Sequence, residues 1–238
     1  MHGVFDQATA DPKRIIFPEG EAVKIVRAAK ILADEGICTP VLLGAKGTVK
    51  RLLDEHEVPD GAVEVVDPAK DGNCQVYAEV LARMRWRNGV TLDNAQKLMR
   101  DPVYFGHMML QQGHADGLIA GLTMSYPETI RPALQIHKTR KGIHRAAGIY
   151  LLLFEDRMLF IADTTVNQDP NAEELAEIAW LAGQVAQNYF HVTPRVAMLS
   201  YSNFGSNIDQ RSQKVRDAVA IAEPRWPDLF IEGEMQAD

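Results

Sequence analysis

Short apolar runs ending in Pro or Gly alternate along this chain with longer segments whose apolar residues recur at helical spacing. Arg14-Ile15-Ile16-Phe17-Pro18 reads as a buried strand that closes on the turn Pro18-Glu19-Gly20. Residues 22–35 follow, with Val23, Val26, Ala29, Ile31 and Leu32 near a helical period, and Gly36 stops that helix. A second strand spans 39–43 and ends at Gly44, a helix covers 48–56, and a third strand at 63–66 ends in Asp67-Pro68. Repeated strand–helix–strand units of this length predict a parallel sheet covered by helices.

The pattern then turns helical. One helix is predicted over 73–86, broken at Asn88-Gly89, and another restarts after Thr91, whose hydroxyl suits an N-cap. Asp101-Pro102 should open a helix running to Gln112, because Asp caps and Pro fits the first turn. A strand at 115–120 feeds the Gly121-Leu122-Thr123 turn, and 127–137 is helical again. At 139–142 the character changes to a cationic, Gly-ended stretch. Two apolar runs, 150–154 and 158–162, then flank Glu155-Asp156-Arg157 and predict two strands joined by a tight turn. The clearest helix is 171–189, with Leu175, Ile178, Ala179, Leu181 and Val185 on one side. A strand at 195–200, a helix at 212–222 and a last strand at 229–232 complete the pass, with a domain junction near Gly142.

Composition narrows the function classes. The 238 residues are 46% hydrophobic and carry a formal net charge of −7, with Lys and Arg scattered. That balance argues against nucleic acid or an anionic membrane as main partner, since both reward a basic face. No apolar run reaches the roughly 18–20 residues a bilayer span needs. Residues 1–10 lack a secretion signal and read as a poorly ordered lead-in or a cut upstream of a domain. Cys38 and Cys74 stand far apart and read as reduced thiols of a cytoplasmic protein. The seven His residues form no HxxxH or HxH pair, so metal chemistry is unsupported.

Four segments can carry chemistry. Asp163-Thr164-Thr165-Val166-Asn167 follows a strand, where hydroxyls and an amide suit a polar ligand group, or simply cap the next helix. Ser200-Tyr201-Ser202-Asn203-Phe204-Gly205-Ser206 also follows a strand. It can cradle a phosphate or a phosphopantetheine, or be a flexible Ser/Gly loop. Gly121 to Ser125, with Arg131 in the next helix, can hold a phosphate bidentately, unless Arg131 is merely solvated. Arg83, Arg85 and Arg87 diverge around a helix, so at most one or two share a site. His107 and His114 lack a nucleophile partner, and exposed or capping roles suit them better than base catalysis.

Together, Phe17-Pro18-Glu19-Gly20, Asp101-Pro102-Val103-Tyr104-Phe105-Gly106, Arg131-Pro132-Ala133-Leu134-Gln135-Ile136, Asp163-Thr164-Thr165-Val166-Asn167, Leu199-Ser200-Tyr201-Ser202 and Pro227-Asp228-Leu229 stand in the order of one family. The chain resembles phosphate acetyl/butyryltransferases from about Arg14 onward. The resemblance implies two α/β/α sandwich domains with acetyl-CoA in the cleft between them, an isocitrate/isopropylmalate dehydrogenase-like architecture. It places the domains at 11–142 and 143–238. The first is incomplete without a returning C-terminal segment, and the second is truncated. Arg131 matches the family's acetyl-phosphate arginine, Arg85 a second site arginine and Ser125 a small polar pocket residue. The loop holding Ser200, Ser202, Asn203 and Ser206 falls where the family's second domain lines the cleft, and Thr164, Thr165 and Asn167 join it as ligand residues. The family's Ser-Arg pair and Asp base lie beyond Asp238, so no catalytic residue is assigned within the chain and no turnover is expected of it alone.

Departures from the transferase pattern set the functional expectation. Tyr126-Pro127-Glu128 replaces small residues after the pocket serine, and a carboxylate there repels a phosphate. Asn203-Phe204-Gly205-Ser206 and Gly233-Glu234-Met235-Gln236 differ as well. These variants look like the phosphotransacetylase-like domain of bifunctional malic enzymes. The expectation is a regulatory module that binds acetyl-CoA or a related acyl-CoA. Its partner would be a malic-enzyme domain of the same polypeptide, which holds NADP and a divalent metal, in a homo-oligomer. The alternative is an active phosphate acetyltransferase. A nucleotide-cofactor oxidoreductase is disfavoured, because no G-x-G-x-x-G follows a strand.

Overall fold

The computed structural model describes residues 2–237, which fall into two compact units divided between Lys138 and Thr139. The first unit begins with a helix, α1 (His2–Ala10), where a poorly ordered lead-in was expected. Val4 and Phe5 on it are exposed.

Four strands form a parallel sheet: β1 (Lys13–Phe17), β2 (Cys38–Leu43), β3 (Glu64–Val66) and β4 (Gly117–Leu118), in the order β3-β2-β1-β4. Helices α2 (Val23–Asp34), α3 (Lys46–Glu55), α4 (Cys74–Arg85), α5 (Leu92–Leu98), α6 (Pro102–Gln111) and α7 (Tyr126–Ile136) cover it. The period-two alternation of β1 and β2 divides the core. Ile16, Val41 and Leu43 pack with Tyr77, Leu81, Met99, Phe105, Met108 and Ile136 on one face. Phe17 and Leu42 pack with Val26, Ala29, Val49 and Leu52 on the other. Burying each such aliphatic or aromatic side chain contributes about 1.5–3 kcal/mol, which explains why both faces read as continuous apolar runs. Gly106 lets α6 lie close on the sheet, for a Cβ there would stand 2.8 Å from Leu118 Cδ1.

Local signals placed most helix starts. Thr91 Oγ1 accepts the Asn94 N–H at the start of α5, and Asp101 accepts the Val103 and Tyr104 N–H groups at the start of α6. The strand expected over 115–120 is shorter, because the chain leaves the sheet after Ile119, whose N–H still reaches the Ile16 carbonyl. The amides of Gly121, Leu122 and Thr123 are captured by a carboxylate, described below.

In the second unit, β5 (Ile149–Leu153) and β6 (Met158–Ala162) pair antiparallel across the expected tight turn. Helix α8 (Ala172–Phe190) follows, with Asn171 and Glu174 forming its capping box. Then β7 (Arg195–Leu199), α9 (Gln210–Arg225) and β8 (Phe230–Met235) make a parallel strand–helix–strand unit. Ala176, Ala179, Ala218 and Ala222 bring α8 and α9 together around Met198, and Trp180 stacks on Trp226 with ring centroids 5.4 Å apart. The last strand runs three residues past its expected end at 232, because Glu234 and Gln236 are drawn onto the β7 loop. Among the described residues, no helix is long and apolar enough to cross a membrane.

Candidate functional site

The expected site residues lie in three clusters, one in the first unit and two in the second. In the first unit, β1 stands between β2 and β4, so the strand order reverses there, and open α/β sheets bind ligands at the carboxyl ends beside such a reversal. A cavity of about 460 Å³ opens at that end, lined by residues that include Pro18, Glu21, Leu43, Pro102 and Met124. Its floor is Glu19, at the end of β1. This carboxylate accepts the N–H groups of Gly121 (2.8 Å), Leu122 (3.0 Å) and Thr123, and the Thr123 hydroxyl at 2.6 Å. Desolvation pushes its pKa up, but the Thr123 hydroxyl and the three amides outweigh it and hold the carboxyl below the usual range.

Ser125 follows as the N-cap residue of α7. Both its N–H (2.8 Å) and its hydroxyl (2.7 Å) donate to Glu128 Oε2. Glu128 is therefore folded back onto the helix start, and its carboxyl is held low by the Ser125 hydroxyl and N–H, with the Arg131 charge adding to them. The carboxylate expected to repel a phosphate is engaged with Ser125.

Arg131, an exposed residue of α7, and Arg85, at the end of α4, both lower the pKa of the Tyr104 phenol, which burial and Asp101 raise. The Tyr104 hydroxyl donates to Gln135 Oε1 at 2.8 Å, and Arg85 Nη1 to the Gln135 carbonyl at 3.4 Å. Arg85 and Tyr104 thus meet at Gln135, on the helix that also carries Arg131. Arg85 Nε is buried with no protein acceptor, leaving this guanidinium with unspent donor capacity. Of the neighbouring arginines, Arg83 is exposed and Arg87 lies over the Trp86 ring, 5.4 Å from its centroid.

His107 corrects one expectation. It is buried within α6, with Nδ1 3.1 Å from His137 Nε2, and burial, reinforced by His137, pushes its pKa down to about 4. A permanently neutral imidazole of this kind packs rather than exchanging protons at neutral pH. His114 contacts the Tyr77 hydroxyl through Nδ1.

In the second unit, Asp163 organises the turn after β6. It accepts the N–H groups of Gly148 (2.9 Å), Thr165 (3.0 Å), Val166 (3.0 Å) and Asn167 (2.7 Å), and the Asn167 side-chain amide. Asn167 Nδ2 also donates to the Ala146 carbonyl at 2.8 Å. Desolvation raises the Asp163 pKa, yet these donors win and hold it at about 2. Thr164, Thr165 and Asn167 therefore share one turn. The Thr164 hydroxyl is buried without a partner, and Thr165 is exposed.

The loop after β7 is stitched to the end of β8. Ser202 donates to the fully buried Glu234 at 2.9 Å, and Gly205 N–H reaches the same oxygen at 3.1 Å, as does Arg216 Nη1 at 2.5 Å. Ser206 Oγ lies 3.1 Å from Ser202 Oγ and accepts the Asn203 N–H, while Ser200 Oγ accepts the Ser202 N–H. Asn203 and Gln236 pair reciprocally, at 2.9 and 2.7 Å. The hydroxyl-rich loop is thus already folded by its own neighbours. A larger cavity of about 550 Å³ opens between the starts of α8 and α9, but none of the expected site residues lines it. No group of three or more His, Cys, Asp or Glu among the described residues could hold a metal ion.

Glu19, Tyr104, Gln135 and Glu234 were not among the expected site residues. Glu19, Tyr104 and Gln135 sat within motifs that carried the resemblance and Glu234 within a departure from the transferase pattern, but Glu19 and Glu234 act on loops remote from them in sequence, which no local pattern reports.

The chain is 40% identical to a phosphate acetyltransferase of Synechocystis sp. over its whole length, spanning 34% of that protein. It is 36% identical to an NADP-dependent malic enzyme of Escherichia coli, again along its whole length and over 32% of the relative. It thus spans about a third of both. The solved phosphotransacetylase from Streptococcus pyogenes superposes with a TM-score of 0.93 and 37% identity, covering all of this chain and 72% of that one. A family profile described as phosphate acetyl/butaryl transferase matches residues 1–238, and the chain, with its mixed α/β fold and parallel sheet, belongs to that family.

Proposed function

We propose that the protein is a phosphate acetyltransferase, interconverting acetyl-CoA and phosphate with acetyl phosphate and CoA. In the direction of acetyl-CoA synthesis, the CoA thiolate attacks the acetyl carbon, a C–S bond forms, and the C–O bond to the phosphate breaks with phosphate leaving. The observation that carries this reading is that Arg85, its buried Nε without a protein acceptor, reaches the Gln135 carbonyl on α7, the helix that begins after Ser125 and carries Arg131. Two guanidiniums suit a doubly charged phosphoryl group better than any other ligand of this family. Names borne by relatives favour it too, since the Synechocystis protein and the Streptococcus structure both carry that activity.

In this reading Ser200, Ser202, Asn203 and Ser206, with Thr164, Thr165 and Asn167, bind the acyl-CoA, in a protein of two sandwich domains of isocitrate/isopropylmalate dehydrogenase-like architecture. The domains are assigned to 11–142 and 143–238. A homo-oligomeric, cytoplasmic enzyme belongs to the same proposal. The test is acetyl-CoA formation from acetyl phosphate and CoA by the intact protein, with Arg131→Ala alongside. Robust transfer that falls at least roughly a hundredfold in the variant is expected, the scale of losing one positioned charge donor.

A second reading, a regulatory module of an NADP-dependent malic enzyme, is favoured by the Escherichia coli relative and by the Ser125 hydroxyl being bound to Glu128. NADP and a divalent metal would then belong to a separate domain. Acetyl-CoA binding without any transfer by the intact protein selects this reading over the first.

A further inference from the structure

We propose that Glu19 is a positioning residue for the phosphoryl site: its carboxylate fixes the Gly121–Thr123 backbone and so sets where α7 presents Ser125 and Arg131. Residues 121–123 are exposed and contribute nothing to the cores of the unit. What holds them is a carboxylate 102 to 104 positions earlier in the chain, which takes all three successive N–H groups and the Thr123 hydroxyl. Such charge-assisted bonds to a buried carboxylate are about twice as strong as neutral ones.

Glu19 itself has little freedom. It is 8% exposed, and its neighbour Gly20 donates its N–H to the Leu43 carbonyl at 3.1 Å. A Cβ at Gly20 would lie 2.6 Å from that same oxygen, so the backbone after β1 is pressed against the end of β2. The constraint therefore runs from the sheet, through the Glu19 side chain, into the last three residues but one before the α7 cap. Ser125 and Arg131 both belong to the element whose entry is set this way; its Gln135 meets Arg85 of α4 and Tyr104 of α6, two helices placed independently by the core.

The kinetic part of this inference rests on the transferase reading; the structural part does not. Glu19→Gln keeps the size of the side chain but turns an NH₂ group toward donors that need an acceptor. Thr123→Val, a milder change, removes only the hydroxyl bond. In the intact protein, amide hydrogen exchange of the 119–126 peptide is expected to accelerate in Glu19→Gln. KM for acetyl phosphate should rise roughly tenfold with KM for CoA nearly unchanged, since displacing a positioned group costs binding where that group acts. Thr123→Val should shift both readouts in the same direction by less, and it serves alone if Glu19→Gln does not fold. Unaltered exchange in this peptide overturns the proposal, as does a loss of activity that leaves both KM values unchanged. A wild-type protein without transfer activity sinks the transferase reading instead, and the exchange measurement then decides the role of Glu19 by itself.

Discussion

The Asp163 carboxylate takes four backbone N–H groups and one side-chain amide, within a turn of five residues and its neighbour Gly148. Glu19 and Glu234 do comparable work at the ends of β1 and β8, each for a loop distant in sequence. All three carboxyls are held below their ordinary pKa by the donors they collect, in spite of burial. For Asp163 the consequence for stability has a definite sign. Its folded pKa of about 2 lies under the ordinary aspartate value of 3.8, so its contribution is complete above that value and is lost as pH falls towards 2. Asp163→Asn cannot accept from all these donors and should cost about 1–3 kcal/mol at neutral pH. Urea unfolding across pH 2–7 checks both points: the variant should be less stable than wild type near neutrality and lose less stability between pH 4 and 2. Equal acid sensitivity in the two proteins would show that Asp163 is not the group responsible.

Helix starts were legible at the level of single elements because a cap and its N–H partners sit within four residues. Asp101-Pro102 predicted the start of α6, and the Asp101 side chain does accept the Val103 and Tyr104 amides there. Asp101→Ala is expected to lower stability by about 0.5–2 kcal/mol, the usual cost of losing a cap. Since α6 carries Tyr104, whose hydroxyl meets Gln135, the same variant should raise amide exchange in the first turn of α6, read by mass spectrometry. An unchanged unfolding midpoint would count against the cap. Strand ends were less legible. The strand expected over 115–120 shrank to β4 and the last strand lengthened to Met235, each through a carboxylate that either withdraws the backbone from the sheet or anchors it there.

For the whole molecule, the chain divides into two compact units after Lys138. Residues 137–142 are exposed, and Lys138, Arg140 and Lys141 offer tryptic sites there. Exposed connecting segments with few contacts are cut first. Brief trypsin digestion should therefore make its first cuts at these three positions, identified by mass spectrometry of the fragments. First cuts inside α4, α6 or α8 would contradict this division of stability.

What the residues alone established was the alternation of strands and helices, the parallel sheet of the first unit, most caps and turns, and the family. Each rests on periodicities or short motifs whose physical cause lies within a few residues. What needed the tertiary structure was which donors each carboxylate finds. The sequence shows Glu19 as part of a turn and Glu128 as a charge beside a serine. Folding places the first beneath amides a hundred residues away and turns the second back onto its own helix cap. His107 follows the same rule, for its neutrality comes from burial against His137, thirty residues on. A hydrogen bond or a shifted pKa belongs to a pair of groups and the solvent they exclude, and only the folded chain brings that pair together.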